Sequence, residues 1–201
     1  MTRRPQNTRD RLTQTAARLF QRSGYNGVGL TEILTEARAP KGSLYHHFPK
    51  GKQDLALAAA SWASDGMRDM IAASFNDAQD FRAGVTTLCH KIAKLFDSSP
   101  QWETCPIAAT LFESPDNPTF RDHADRLYES WIEDVRGHAE RFGVAHPDMA
   151  ADTLFIVMQG GWQLARARRD SNVLRRLPEH IPWDRFQPDG ECGLTRPDPD
   201  R

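Results

Sequence analysis

Apolar residues in the first quarter of the chain recur at the spacing of an α-helix. In the segment 8–23 they fall at i, i+4, i+7 and i+8, on one helical face: Leu12, Ala16, Leu19 and Phe20. Gly24 follows and predicts the end of this helix. A second, shorter helix ending near Arg38 is predicted from apolar residues at i, i+3, i+4 and i+7: Leu30, Ile33, Leu34 and Ala37.

A third short helix is predicted from Pro40 to His47. Proline suits the first turn of a helix, and Leu44 and Phe48 then share one face. Two short helices joined by a tight turn and packed on a longer one form a helix-turn-helix. Its apolar junction would consist of Leu19, Phe20, Ile33, Leu34, Leu44 and Phe48. The pattern leaves open a plain three-helix packing corner with a solvated basic face.

Helical spacing continues along the chain, and no strand pattern competes with it. Further helices are predicted at about 52–75, 81–98, 102–113, 118–142, 149–170 and 171–180. Prolines after residue 181 mark an extended tail. The predicted fold is therefore all-α, with an N-terminal three-helix helix-turn-helix domain at 1–50, a larger C-terminal helical domain at 51–186 and a flexible tail at 187–201.

Charge is distributed unevenly along the sequence. Residues 1–55 contain ten Lys or Arg and four Asp or Glu, a net charge of +6, whereas the remaining residues carry −7. A basic segment that coincides with a helix-turn-helix pattern favours contact with nucleic acid. The third helix would add a cation, two small residues that let the backbone approach base edges, and hydrogen-bond donors: Lys41, Gly42, Ser43, Tyr45 and His46.

Two segments of this region resemble a known family. Residues 30–34 (LTEIL) and 40–48 (PKGSLYHHF) resemble the DNA-binding signature of the TetR family of bacterial transcriptional regulators, and the likeness covers about residues 8–55. It implies a homodimer that binds a roughly palindromic operator in double-stranded DNA. It also implies that the C-terminal domain dimerises and binds a small-molecule effector. Arg38 replaces the family's usual turn glycine and Pro40 a small polar cap, so the geometry of the turn is left open.

The resemblance also indicates which residues contact DNA. Carried over position by position, the expected contacts are Thr31, Lys41, Gly42, Ser43, Tyr45 and His46, with Lys50 and Lys52 added from the start of the next helix.

Three further segments resemble one branch of the family, the lincomycin- and flavonoid-responsive repressors. They are residues 48–52 (FPKGK), 102–109 (WETCPIAA) and 159–167 (QGGWQLARA). The likeness implies a repressor that a small apolar or aromatic effector releases from DNA. Two alternatives stay open: a transcriptional activator, and a sensor of oxidants or electrophiles that acts through Cys105.

Large apolar side chains in the central helices are candidates for lining an effector cavity. The expected ligand contacts are Trp62, Trp102, Cys105, Phe112, Trp131 and Met158. Ordinary core packing is the alternative for each of them. Cys105 precedes Pro106 near a predicted helix start, where its thiol could be acidified; a buried packing cysteine is the other interpretation. Gly160, Gly161 and Leu164 are expected at the dimer interface, since the family implies that this helix pairs there.

The sequence lacks the motifs that mark other classes of protein. No serine-hydrolase elbow, zinc-protease HExxH or glycine-rich dinucleotide fingerprint is present, and Gly51-Lys52 does not complete a phosphate loop, so no enzyme is predicted. A protein-binding helical adaptor would not need the basic segment or the small-residue helix. His46 and His47 are adjacent and cannot share a metal as i, i+4 histidines do, and neither a metal nor a cofactor is expected. Widely spaced cysteines and the absence of a long apolar run predict a cytoplasmic protein without membrane contact.

Overall fold

The computed structural model describes residues 7–98, 105–114 and 116–186, and within them every regular element is helical. The elements are α1 (Thr8–Gly27), α2 (Leu30–Glu36), α3 (Lys41–His47), α4 (Lys52–Phe75), α5 (Phe81–Ser98), α6 (Pro106–Leu111), α7 (Pro118–Arg141), α8 (Pro147–Arg168) and α9 (Asn172–Arg175). Two short 3-10 turns, Leu177–His180 and Trp183–Phe186, follow α9. The all-α prediction is confirmed for these residues.

Helices α1, α2 and α3 meet at the predicted apolar junction. Leu19, Phe20, Ile33, Leu44 and Phe48 are all buried, and Leu34 packs against them from a partly buried position. Burial of each large apolar side chain stabilises the fold by about 1.5–3 kcal/mol. The three helices therefore share one small core that fixes the orientation of α3.

The end of α1 is a kink at Gly24 and not the stop that the sequence predicted. Gly24 has φ 74° and ψ 164°, a conformation that favours glycine, and helical turns resume as far as Gly27. The kink redirects Tyr25, Asn26 and Gly27 away from the axis of residues 8–23. The predicted end of the helix is thus a bend within α1.

Arg38 occupies the left-handed position of the turn between α2 and α3. Its φ is 49°, and the amide of Ala39 donates to the carbonyl of Leu34 at 3.0 Å, which closes a Schellman-type cap. The turn keeps the geometry that glycine usually supplies, although an arginine forms it. Pro40 was predicted to be the first residue of α3. It is instead the N-cap, and the helix begins at Lys41.

The remaining helices surround α4. This helix packs against α1, α5, α6 and α7, while α8 packs on α7 and α9. Trp131 is fully buried against α4, where its indole N–H donates to the hydroxyl of Ser64 at 2.8 Å. Helix α6 contacts α1 as well as α4 and α7, so it connects the first helix with the larger domain.

Most predicted helices are confirmed within a residue or two, with two corrections. The helix expected at 102–113 is described only as Pro106–Leu111, and residues 102–104 lie outside the described part of the chain. The single helix expected at 171–180 is instead α9 followed by a 3-10 turn. Pro178 has no amide hydrogen to continue an α-helix, which accounts for the break. The tail predicted at 187–201 also lies outside the described residues.

Candidate DNA-binding surface and ligand cavity

Helix α3 exposes most of the residues predicted to contact DNA. Lys41, Gly42, Tyr45 and His46 are exposed, whereas Ser43 is half-buried. The neighbouring Leu44 is fully buried and anchors the helix in the three-helix core. The outward side of α3 therefore presents the polar set, and Thr31 on α2 and Lys50 after α3 are exposed as well.

Tyr45 lies against the backbone of the loop before α4. Gly51 has φ 64°, and a Cβ added there would lie 3.3 Å from the Tyr45 ring. Glycine at this position allows the ring to rest on the chain while 46% of Tyr45 stays exposed. The loop is further fixed by the Lys50 amide, which donates to the Asp54 carboxylate at 2.8 Å. Tyr45 is thus held in a defined position with its outer side free.

Lys52 lies away from the exposed side of α3. Its ammonium stands 4.3 Å from the centre of the Tyr25 ring, beyond the α1 kink. Partial burial lowers the pKa of Lys52, and the nearby carboxylate of Glu113 opposes that shift. The structure therefore groups Lys52 with residues at the junction of α1, α4 and α6, and its predicted contact with DNA stays a prediction.

Arginines of α1 contact α2 and the residues that flank α3. The sequence pattern did not predict these contacts. The guanidinium of Arg9 lies 5.7 Å from the centre of the Phe48 ring, and Arg11 donates to the carbonyl of Ala37 at 3.3 Å. Arg18 forms an ion pair with Glu36. These exposed pairs add little stability, but they hold positive charge beside α2 and α3.

A cavity of about 820 Å³ opens between α1, α4, α5, α6 and α8. Its lining is mainly aromatic and apolar, as ligand sites usually are, and includes Trp62, Met67, Met70, Phe96, Pro106 and Trp162. Asp65 and Asp69 are the charged residues among the lining residues that the structure describes. The volume suits a small aromatic molecule.

One of the six predicted ligand residues, Trp62, lines this cavity. Cys105, Phe112 and Trp131 gather around Tyr128: the Cys105 sulfur is 3.7 Å from the Tyr128 hydroxyl, and the two rings lie 5.9 and 5.6 Å from the Tyr128 ring. Met158 is buried in α8. Trp102 lies outside the described residues. The periodic pattern singled out large side chains, but it could not show which of them border a gap between helices.

Of the two interpretations of Cys105, the structure favours the buried packing cysteine over the acidified thiol. Cys105 is the N-cap of α6 and only 1% exposed, and burial raises the pKa of its thiol. Weaker hydrogen bonds from amides of α6 and from Tyr128 oppose that shift. Desolvation outweighs the favourable helix start because a thiolate in this setting has lost its water.

The residues predicted at the dimer interface divide into two groups. Gly161 is buried against Leu177 of its own chain, where a Cβ would come within 2.6 Å of a leucine methyl carbon. Gly160 and Leu164 are exposed, and they share a helical face with Ile156, which is 69% exposed. An exposed apolar stripe on α8 therefore consists of Ile156, Gly160 and Leu164.

The described residues hold neither a metal site nor a membrane-spanning helix. They contain no group of three His, Cys, Asp or Glu side chains arranged to hold a metal ion. Among them, no helix combines the length and the apolar character needed to cross a membrane.

Comparison with known proteins agrees with the fold. Residues 12–59 match the family described as bacterial regulatory proteins of the tetR family, and residues 82–180 match the C-terminal domain of LmrA/YxaF-like transcriptional regulators.

Individual relatives match over most of their length. The HTH-type transcriptional regulator YxaF of Bacillus subtilis is 28% identical over 179 residues, which are 88% of this chain and 94% of YxaF. LmrA of the same organism is also 28% identical over 179 residues, with 88% and 95% of the two chains covered. The crystal structure of a TetR regulator from Legionella pneumophila has the same fold, with a TM-score of 0.76 at 24% identity over 90% of this chain and 99% of that one. The chain is therefore a DNA-binding transcriptional regulator that belongs to the TetR family, in the branch with an LmrA/YxaF-like C-terminal domain.

Proposed function

We propose that this regulator is a homodimeric repressor that a small apolar or aromatic effector releases from a palindromic operator. The observation that carries the proposal is the cavity of about 820 Å³ lined by Trp62, Phe96 and Trp162. It lies in the domain proposed to bind ligand, residues 51–186, and reaches α1 of the domain proposed to bind DNA, residues 1–50. A bacterial protein with this role acts in the cytoplasm, on chromosomal DNA.

The proposed contact with DNA is made by α3 in the major groove. Tyr45 and His46 on its exposed side would contact bases or phosphates, and Lys41 and Lys50 would contact phosphates. Two copies of α3 on a dimer would enter successive grooves about 34 Å apart. Neutralised phosphates release counterions, so affinity should fall steeply with salt.

The proposed dimer forms through the exposed stripe on α8. Ile156 and Leu164 leave 69% and 49% of their surface exposed in the protomer, and a partner helix would cover both. Gly160 between them would allow the partner backbone to approach. Ile156→Glu should convert the dimer to a monomer in light scattering, whereas Leu95→Glu, at an exposed leucine on α5, serves as the matched control. A dimeric Ile156→Glu variant would contradict this surface.

Binding to DNA is tested by fluorescence anisotropy with the intergenic DNA beside the chain's own gene, at two salt concentrations. Saturable binding that competitor DNA does not remove is expected. Weak binding without sequence preference would contradict a specific operator there.

Occupation of the cavity is tested by filling it with a side chain. Gly66 lines the cavity, and a Cβ built on it meets nothing within 4 Å, so Gly66→Trp has room to project inward. Gly66→Ala is the control, because it also removes the helix-weakening glycine but does not fill the space. We expect Gly66→Trp to weaken operator binding by about tenfold or more, within the usual range of allosteric coupling. Equal operator affinity of the two variants would refute the cavity as the release site.

A further inference from the structure

The segment after the α1 kink is held by the connection between α6 and α7. The backbone amide of Asn26 donates to the carboxylate of Glu113 at 2.6 Å, and the Asn26 side-chain amide donates to the Glu113 carbonyl at 3.0 Å. One residue thus accepts two hydrogen bonds from another that is 87 positions away in the sequence. We call this pair the Glu113 clamp.

Gly24 leaves space for the clamp. The Glu113 carboxylate occupies the space that a Cβ on Gly24 would need, so a side chain at this position would overlap it. The same glycine has φ 74°, which a side chain would strain. The hinge conformation and the carboxylate contact therefore depend on one residue without a side chain.

Other contacts bring three elements together at the clamp. Lys52, the first residue of α4, carries its ammonium over the Tyr25 ring and is electrostatically coupled to Glu113. The ring of Phe120 on α7 meets Tyr25 edge to face at 5.1 Å. The end of α1, the start of α4 and the α6–α7 connection thus converge on Tyr25 and Asn26.

Helix α6 connects this cluster with the cavity. Its first residue, Pro106, lines the cavity, and Glu113 follows its last residue by two positions. Six residues of α-helix span only about 9 Å, which makes α6 a short rigid rod. The rod packs on α1 and α4, so a shift of its cavity end displaces Glu113.

We propose that Glu113 is the positioning residue through which occupation of the cavity changes the placement of the DNA-binding domain. The inference rests on the proposed function, because it assumes that the cavity controls operator affinity. A ligand that moves Pro106 alters the Glu113 clamp and so shifts the balance between two arrangements of α1 and α3. Without the clamp, the cavity and the operator-binding surface lose most of their coupling.

The test is a double-variant cycle measured by operator anisotropy, with Gly66→Trp taking the place of a ligand. Gly66→Trp is combined with Glu113→Ala and with Asp116→Ala, the latter an exposed acidic residue of the same connection. We expect Gly66→Trp to weaken operator binding by about tenfold in the unsubstituted and Asp116→Ala backgrounds, and by less than about twofold with Glu113→Ala. An equal loss in all three backgrounds overturns the proposal.

Hydrogen exchange separates failure of the clamp from failure of the cavity. If Gly66→Trp leaves operator affinity unchanged in all three backgrounds, the cavity is not the release site. The hydrogen exchange of the Asn26 amide then tests the clamp by itself. Faster exchange with Glu113→Ala but not with Asp116→Ala, together with at least a fivefold change in operator affinity, supports the clamp. Unchanged exchange or unchanged affinity overturns it.

Discussion

Two adjacent glycines of α8 should respond in opposite ways to the same substitution. Gly160 faces open space, whereas a Cβ on Gly161 would come within 2.6 and 2.7 Å of two Leu177 methyl carbons. Replacement by alanine gains about 1 kcal/mol of helix propensity at either position. At Gly161 alone, overpacking against Leu177 costs about 1–3 kcal/mol. The difference between the two variants therefore isolates the packing cost.

Thermal unfolding followed by circular dichroism measures that difference. For a chain of this length, 1 kcal/mol shifts Tm by about 2–4 °C, so Gly161→Ala should melt roughly 2–12 °C below Gly160→Ala. The melts are run over a series of protein concentrations, because pairing of chains also stabilises the fold. If Gly160→Ala lowers Tm, and lowers it more at lower protein concentration, the loss reflects weaker pairing of the chains. Gly161→Ala melting at or above Gly160→Ala throughout the series would refute the packing argument.

Three further predictions concern the core, the DNA surface and thiol chemistry. Ser64→Ala leaves the buried Trp131 indole N–H without its acceptor and should lower the free energy of unfolding in urea by about 1–3 kcal/mol; a change below about 0.5 kcal/mol would contradict this. Lys41→Ala should reduce the slope of log K against log salt for operator binding by about 1, whereas Lys94→Ala, an exposed position on α5, should leave the slope unchanged. Burial raises the pKa of Cys89 to about 12, so at pH 8 iodoacetamide should label it only after unfolding; prompt labelling of the native protein would show that the thiol is accessible.

Local signals predicted the helices well where periodicity and end signals agreed. Helices α4 and α5 run over 52–75 and 81–98 as expected, since apolar spacing and the flanking breaks point to the same ends. The segment 171–180 differs because a single proline outweighs the apolar spacing around it. At Gly24 the chain bends and continues, because Tyr25, just after the bend, packs against Phe20 and Phe120.

The residues of the candidate sites were predicted less consistently than the helices. Exposure on α3 follows from helical spacing and a motif, so the exposure of Lys41, Tyr45 and His46 could be predicted. Spacing does not show how Trp62 and Trp131 are packed: Trp131 is 1% exposed, whereas Trp62 is 44% exposed at the cavity. Trp131 meets Ser64 and is core, whereas Trp62 meets a gap. The Glu113 clamp had no local signal, because its partners are distant in sequence and polar.

The arginine in the left-handed turn between α2 and α3 is a position where one substitution should offset a loss of stability elsewhere in the protein. A left-handed conformation costs a residue with a side chain about 1–2 kcal/mol, while glycine adds about 0.4–1 kcal/mol of unfolded-state entropy, so Arg38→Gly should stabilise the fold by up to about 1.6 kcal/mol. Arginine and glycine codons can differ by one base. In a genetic selection that starts from a variant weakened in the core, Arg38→Gly should recur as a second-site suppressor unlinked to the original lesion.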